Sequence, residues 1–275
     1  MAIELNKPFE DQTGVRFIQM PGSRWFDEFA TACGQYRYIG LCYGAAGVGK
    51  TWSARYFSQW ETAQRVLKQA YYDSPVLTPP NREPLVKAIY YTAPVTNTPR
   101  RLQEDLALDF NTYRQVGRLS EELNRTLLPT VPAILLVDEA DRLNVNSLEF
   151  LRDLYDHHGF ELVLIGMPGL EKRLKRYPQL YSRVGFAHHF RELANQDLTM
   201  LLTGRDQANQ PLLVHPPFAD ELTLGAVVRT CRGNMRLLTR LLSQIDRIVA
   251  INQLKHVTLE VVQKASLLLT IGPPD

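Results

Sequence analysis

The sequence predicts an α/β fold, a parallel sheet flanked by helices, followed by a small all-helical domain. Three observations carry this. The apolar run Ile39–Tyr43 leads into Gly44-Ala45-Ala46-Gly47-Val48-Gly49-Lys50-Thr51, and a helical pattern follows from Trp52 to Ala70. Apolar runs then alternate with helical patterns as far as Phe190. After Asn195 only helical patterns remain, which marks a change of architecture. The predicted domains are residues 1–194, with 1–37 as a lead-in, and residues 195–275.

The first stretch fits G-x-x-x-x-G-K-[ST] in a strand–loop–helix setting. The residue types suit phosphate. Glycines let successive N–H groups turn inward, and the helix N-terminus adds its positive dipole end. Lys50 is expected on the β- and γ-phosphates of a nucleotide and Thr51 on Mg²⁺.

The lead-in offers a short strand or lid at Val15–Ile18, then a helix capped by Ser23 and carrying Trp25, Phe26, Phe29 and Ala30. These aromatics suit either a cover for a nucleotide base or plain core. Residues 71–86 hold Pro75, Pro79, Pro80 and Pro84 and predict an irregular excursion. Lys87–Thr92 is the second strand. The polar loop Pro94–Pro99 follows, then helical runs at Arg100–Leu108 and Thr112–Leu128. The third strand, Ala133–Val137, runs into Asp138-Glu139-Ala140-Asp141-Arg142. An apolar strand ending in two acids, about 90 residues after the glycine loop, has Asp138 hold Mg²⁺ and Glu139 act as general base.

Ser147–His157 is helical, Glu161–Gly166 is the fourth strand, Leu170–Tyr177 is a basic helix, and Phe186–Phe190 is the fifth strand. The tail predicts helices at Asp197–Asp206, Pro217–Thr230, Asn234–Asn252 and Thr258–Leu269, with a frayed end at 272–275.

Composition sets bounds. The 275 residues are 45% hydrophobic and 22% charged with net charge +2, an ordinary globular balance and no polycation. The cations are 23 Arg and 8 Lys, a bias that suits phosphates and subunit ion pairs or reflects genomic composition. Cys33, Cys42 and Cys231 show no zinc spacing and fit a reducing cytosol. No signal peptide and no membrane span are expected.

The order of glycine loop, Asp138-Glu139, a further strand, Arg183 and Gly233-Asn234-Met235-Arg236 resembles an AAA+ ATPase over roughly residues 15–270. The compact size, Asp138-Glu139-Ala140-Asp141-Arg142-Leu143, and Leu164-Ile165-Gly166 before a basic helix look like the transposition regulators TnsC, TniB and MuB. The resemblance implies a P-loop AAA+ (ASCE) sheet with a C-terminal α-helical lid. It implies Walker A at Gly44, Ala45, Ala46, Gly47, Val48, Gly49, Lys50 and Thr51, and Walker B at Asp138 and Glu139. Arg183 matches an arginine finger, with Arg173 and Arg176 competing, and Arg236 matches a sensor-2 arginine. It implies ATP and Mg²⁺ as ligands and Mg-dependent hydrolysis. Implied partners are double-stranded DNA, further copies in a ring or filament, a transposase and target-selection proteins. The implied location is prokaryotic, cytoplasmic and nucleoid-associated, with no membrane.

The DNA-facing region of that family follows the second strand. Here it offers Thr96, Asn97, Thr98, Arg100 and Arg101, then Arg114 and Arg118. Residues 100–125 hold five Arg and five Asp or Glu, so a solvated helix face is the alternative. The basic helix at 172–176 is a competing surface. Met167 stands where a polar sensor-1 side chain is expected, and a thioether hydrogen-bonds poorly, which predicts slow hydrolysis or a sensor placed elsewhere. The rival readings are a helicase-loader or initiator ATPase, an ExeA-type ATPase, and a non-hydrolysing platform that uses ATP as structural glue.

Overall fold

The computed structural model describes residues 17–71, 85–122, 132–206 and 209–269. The expected strand or lid at 15–18, most of the proline-rich excursion, the end of the 112–128 run and the frayed tail therefore lie largely outside the described residues. Among the described residues two compact units emerge: those of 23–44 with 50–190, and those of 17–22 with 45–49 and 191–269.

The first unit is an α/β sheet. Its five strands are β1 (Ile39–Tyr43), β2 (Ile89–Thr92), β3 (Ile134–Asp138), β4 (Glu161–Gly166) and β5 (Val184–His189). They are all parallel, in the order β2-β3-β4-β1-β5. β3 and β4 are buried along their whole length and β1 nearly so, which is why they read as unbroken apolar runs. β5, at the edge, alternates between half-buried and exposed. Helix α1 (Pro21–Tyr36) packs on β1 and β5. Its Phe29 stacks on His188 at 5.4 Å, and Gly40 is needed because a Cβ there would stand 2.5 Å from Cys33 Sγ. Ser23 is no cap, since the helix begins at Pro21 and encloses it.

The expected helix over 52–70 is two helices, α2 (Lys50–Ser58) and α3 (Trp60–Tyr71). Gln59 turns left-handed with φ +56°. The Ser58 carbonyl accepts the N–H of Lys87 at 2.9 Å, so the chain entering β2 docks at the break. The two runs after β2 are instead one helix, α4 (Pro99–Glu122). Thr98 caps it, accepting the Arg101 N–H at 3.2 Å, with Pro99 at the first helical position. Phe110, at the expected gap, packs on Phe160 with ring centres 5.5 Å apart and keeps the helix continuous.

A single 3₁₀ turn (Ala140–Arg142) follows β3, then α5 (Val145–His158) capped by Asn144. The expected basic helix over 170–177 stops early as α6 (Leu170–Leu174), and α7 (Pro178–Tyr181) restarts at a proline.

The second unit holds α8 (Asn195–Thr203), α9 (Glu221–Cys231), α10 (Met235–Ile251) and α11 (Leu259–Leu269). Its core joins Leu198, Val227, Cys231, Leu241, Ile245 and Val262. Asp220 caps α9 and so trims the expected start at Pro217, while Asn234 caps α10. Arg232 and Gly233 both turn left-handed and fold α10 sharply back from α9. All three cysteines are free and buried. Cys33 and Cys42 lie in the α/β unit and Cys231 in the helical one.

Candidate active site

Parallel sheets gather their chemistry at the carboxyl ends of the strands. In the α/β unit β1 leads into Gly44, whose N–H donates to the Gly166 carbonyl at 3.3 Å at the end of β4. Lys50 opens α2 and donates its ammonium to the Gly44 carbonyl at 2.6 Å. Burial holds the Lys50 pKa below the ordinary lysine value, while the nearby Cys42, Asp138 and Glu139 work to raise it.

Thr51, the next residue, donates its hydroxyl to Asp138 Oδ2 at 2.7 Å. Asp138 ends β3 and is 3% exposed. The same Oδ2 accepts the Tyr90 hydroxyl at 2.8 Å, and Oδ1 accepts the Glu139 N–H at 2.8 Å. Burial, with the Asp138 charge beside it, pushes the Tyr90 phenol well above its usual range, so it stays a donor.

Glu139 adopts φ +56°, a left-handed conformation of the kind that clusters at active sites. Its carboxylate stands 3.5 Å from the Arg142 guanidinium, which also donates to the Ala93 carbonyl at 3.1 Å. Asn97 Nδ2 donates to the Arg142 carbonyl at 2.9 Å, its Oδ1 accepts the Asn144 N–H at 3.1 Å, and Asn144 Nδ2 returns a bond to the Asn97 carbonyl at 2.8 Å. The loop after β2 is thereby tied to the segment that carries Glu139.

Met167 projects its side chain outward, and its N–H donates to Asp141 Oδ1 at 3.1 Å. Gly166 leaves room for that carboxylate, since a Cβ there would stand 2.6 Å from Asp141 Oδ1. The polar group at the end of β4 therefore comes from Asp141. Arg173, once a competitor for the finger, donates to the carbonyls of Asp141 and Leu143 within its own unit. Arg183 pairs with Asp156, Nε to Oδ1 at 2.6 Å and Nη2 to Oδ2 at 2.8 Å. Arg176 is exposed.

In the helical unit, the loop Ala45–Gly49 lies against the start of α10. Asn234 Nδ2 donates to the Ala46 carbonyl at 2.8 Å and the Arg236 N–H to the Gly47 carbonyl at 3.2 Å. Gly47 has φ +80°, and a Cβ on it would stand 2.5 Å from Asn234 Oδ1. The Arg236 side chain is exposed beside this loop.

Of the DNA candidates, Thr96, Thr98, Arg100, Arg101 and Arg118 are exposed. Arg100 pairs with Glu104 at 3.0 Å and Arg101 approaches Asp105 at 3.8 Å, each one helical turn on. Asn97, grouped with them from the sequence, is 8% exposed and acts structurally instead. Tyr90, Arg142 and Asn234 had no role assigned from sequence. Only the parallel pairing of β2 with β3, which sets Thr92 beside Asp138, brings Tyr90 to the acidic strand end.

The AAA domain family model matches residues 33–174, which span the glycine loop, β2, and the Asp138-Glu139 strand end. The chain belongs to this AAA domain family. As an AAA domain protein it is an ATPase, and its relatives agree with the fold. A "Potential ATP-binding protein" of Staphylococcus aureus is 36% identical over 264 residues, covering 93% of this chain and 97% of that one. Among solved structures, the RuvB Holliday junction branch migration motor of Thermotoga maritima aligns with TM-score 0.57 and 15% identity, over 96% of this chain and 74% of that one. The Aeropyrum pernix ORC2 protein aligns with TM-score 0.58 and 14% identity, over 98% and 71%. The Aeropyrum pernix ORC1 protein in complex with DNA aligns with TM-score 0.56 and 18% identity, over 90% and 64%. Among the described residues of this AAA domain protein, no helix is long and apolar enough to cross a membrane.

Proposed function

We propose that this AAA domain protein is an ATP-dependent, sequence-nonspecific regulator of DNA transposition that oligomerises on duplex DNA and recruits or activates a transposase. The observation that carries the switch is the joined set of Thr51, Asp138 and Glu139 next to Lys50. Hydroxyl, carboxylate and ammonium in that order suit a nucleotide triphosphate with its cation.

The donors fit magnesium, a hard cation that takes oxygen ligands. Thr51 and Asp138 would hold it, and when bound it would neutralise charge on the β- and γ-oxygens. Lys50 binds the same oxygens, and the loop N–H groups cradle them. Glu139 takes a proton from the water that attacks the γ-phosphorus as the bridging P–O bond breaks to leave ADP. Arg236, beside the loop, senses the γ-phosphate, and Arg183 completes the site of a neighbouring copy. ATP binding favours the oligomer and hydrolysis releases it.

Two lines support DNA as the surface of assembly. The sequence resembles transposition regulators, and structures that share the fold carry names that put those proteins on DNA, a Holliday junction motor and an ORC1 protein in complex with DNA. Thr96, Thr98, Arg100, Arg101 and Arg118 form the proposed face, through phosphate contacts. A second reading, an initiator, helicase-loader or ExeA-type switch acting on a protein partner, draws on the pairing of Arg100 and Arg101 with carboxylates four residues on.

Electron microscopy with duplex DNA tests the choice. Rings or filaments with ATP or in Glu139→Gln, lost with ADP, support the regulator. Absence of DNA-dependent assembly in every nucleotide state overturns it in favour of the protein-partner switch.

A further inference from the structure

Cations on the helix surfaces of this chain are commonly neutralised one turn away. Arg100 and Arg101 on α4 reach Glu104 and Asp105, Arg152 on α5 reaches Glu149 and Asp156, and Lys264 on α11 reaches Glu260 at 2.7 Å. Helix α10 departs from this pattern. Its Arg236, Arg240 and Arg247 are exposed, and no ion pair among the described residues involves them. At about 100° per residue the three fall within roughly 40° of one another, in a row about 16 Å long. The row lies opposite the core side chains Leu238, Leu241, Leu242, Ile245 and Val249. Carboxylates of the helical unit are engaged elsewhere. Asp197, Asp206 and Asp220 accept backbone N–H groups, and Asp246, the acid of α10, lies off the row and feels His215. Between the arginines stand Thr239 and Ser243, whose hydroxyls donate to carbonyls one turn back at 2.9 and 3.0 Å. No large apolar side chain stands between them.

A protein partner would call for apolar and aromatic anchors at the centre of the contact, where charge is depleted. A nucleic-acid contact is strongly cationic and made largely through phosphates. We propose that the α10 face bearing Arg240 and Arg247 is a phosphate-contacting surface for duplex DNA, carried by the helical unit in addition to the Thr96–Arg118 face of the α/β unit. The proposal rests on the DNA-binding reading above, and Arg236 stays with the nucleotide. Arg240 and Arg247 are two turns apart, about 10 Å, which spans three phosphate steps of about 3.4 Å along one strand. Each guanidinium fork can hold two oxygens of a phosphate. The small Thr239 and Ser243 let the sugar–phosphate backbone approach the helix closely. The row reaches no base edge, so it adds affinity without sequence preference.

Fluorescence anisotropy of the full chain on a short labelled duplex, with a slow ATP analogue and increasing salt, tests this. Each lost phosphate contact lowers the slope of log affinity against log salt by about 0.9. Arg240→Gln combined with Arg247→Gln is expected to lower it by about 2, so that between about 50 and 200 mM salt the wild type loses roughly tenfold more affinity than the double variant. Lys264→Gln removes a cation from a paired site and should leave the slope unchanged. An unchanged slope in a double variant that keeps its helical circular dichroism overturns the inference. So does an intact slope with self-association lost in DNA-free sedimentation, because the face then meets another copy of the chain. A wild-type chain that binds no duplex overturns the inference together with the DNA-binding reading, and this appears before any variant is made. Wild-type binding with an unmoved slope in the double variant overturns the inference alone.

Discussion

Arg183 meets Asp156 fork to fork within one chain, with two nitrogens on two carboxylate oxygens at 2.6 and 2.8 Å. The Arg183 hydrogen bond, with Arg152 helping, holds the Asp156 carboxyl below its usual pKa. A guanidinium engaged in this way reaches a neighbour's γ-phosphate only by leaving its partner. On the finger role proposed for Arg183, Asp156→Asn is therefore expected to raise the ATPase rate measured with duplex DNA severalfold, and Arg183→Ala to hold that rate at its DNA-free level while sparing nucleotide affinity. The pair is partly exposed, with side chains 32% and 24% accessible, so solvent screens it and either change costs on the order of 1 kcal/mol of stability, read by denaturant titration. Because the Asp156 value is depressed on folding, that small contribution is present above the unfolded value of 3.8 and is lost as pH falls further.

Glu139→Gln should bind ATP as the wild type does and hydrolyse it about 10²–10⁴-fold more slowly, as measured by phosphate release. Arg142→Ala removes the cation 3.5 Å from Glu139 and its tie to Ala93. Its expected signature is a lower kcat with an unchanged nucleotide Kd, since Arg142 touches the proposed base, Glu139, and no proposed phosphate.

Gly47→Ala combines a positive φ with a contact of 2.5 Å to Asn234 Oδ1. Strain of this kind costs about 1–3 kcal/mol and should lower Tm and weaken ATP binding. Asn234→Ala loses both the α10 cap and the bond to Ala46, worth about 1 kcal/mol for the cap. The double variant should cost less than the sum, because Asn234→Ala removes the oxygen that the new methyl group meets.

Asp109 sits on α4 with its carboxyl pushed up to about 7 from 3.8, first by burial and then by the Asp105 charge. The folded chain holds a proton there that the unfolded chain has released. Stability from this group is therefore full below 3.8 and lost as pH rises through 7. Asp109→Asn should stabilise the chain at pH 8 by on the order of 1–2 kcal/mol, an amount reduced for partial exposure. The gain should shrink toward pH 5, as followed by thermal melts at the two pH values.

How far the sequence was readable follows from which signals are local. β1 and β4 fall where the apolar runs place them, because strands buried on both faces have no competing pattern. Gly44 to Thr51 and Asp138-Glu139 were legible because each is a contiguous string in a strand-end setting. The break at Gln59 was not, because Ser58 bonds to Lys87 across a stretch that periodicity does not connect. Tyr90 and Arg142 were missed for the same reason. Tyrosine in a strand and arginine after an acidic pair have ordinary local explanations, and only the pairing of β2 with β3 gives them another. Asp141 was read as part of a motif, while its carboxylate accepts the N–H of Met167 at 3.1 Å, a contact across 26 residues that no local string encodes.

The buried thiols turn the molecule into its own stopwatch. Burial pushes Cys33 and Cys231 up to about 12 and Cys42 higher still, so none is a reactive thiolate while packed. Modification by a thiol reagent must wait for the surrounding structure to open. Cys42 times the sheet, Cys33 times α1, and Cys231 times the helical unit. Peptide masses taken at intervals would thus give three opening rates from one unmodified chain. Adding ATP would show which of the three slows.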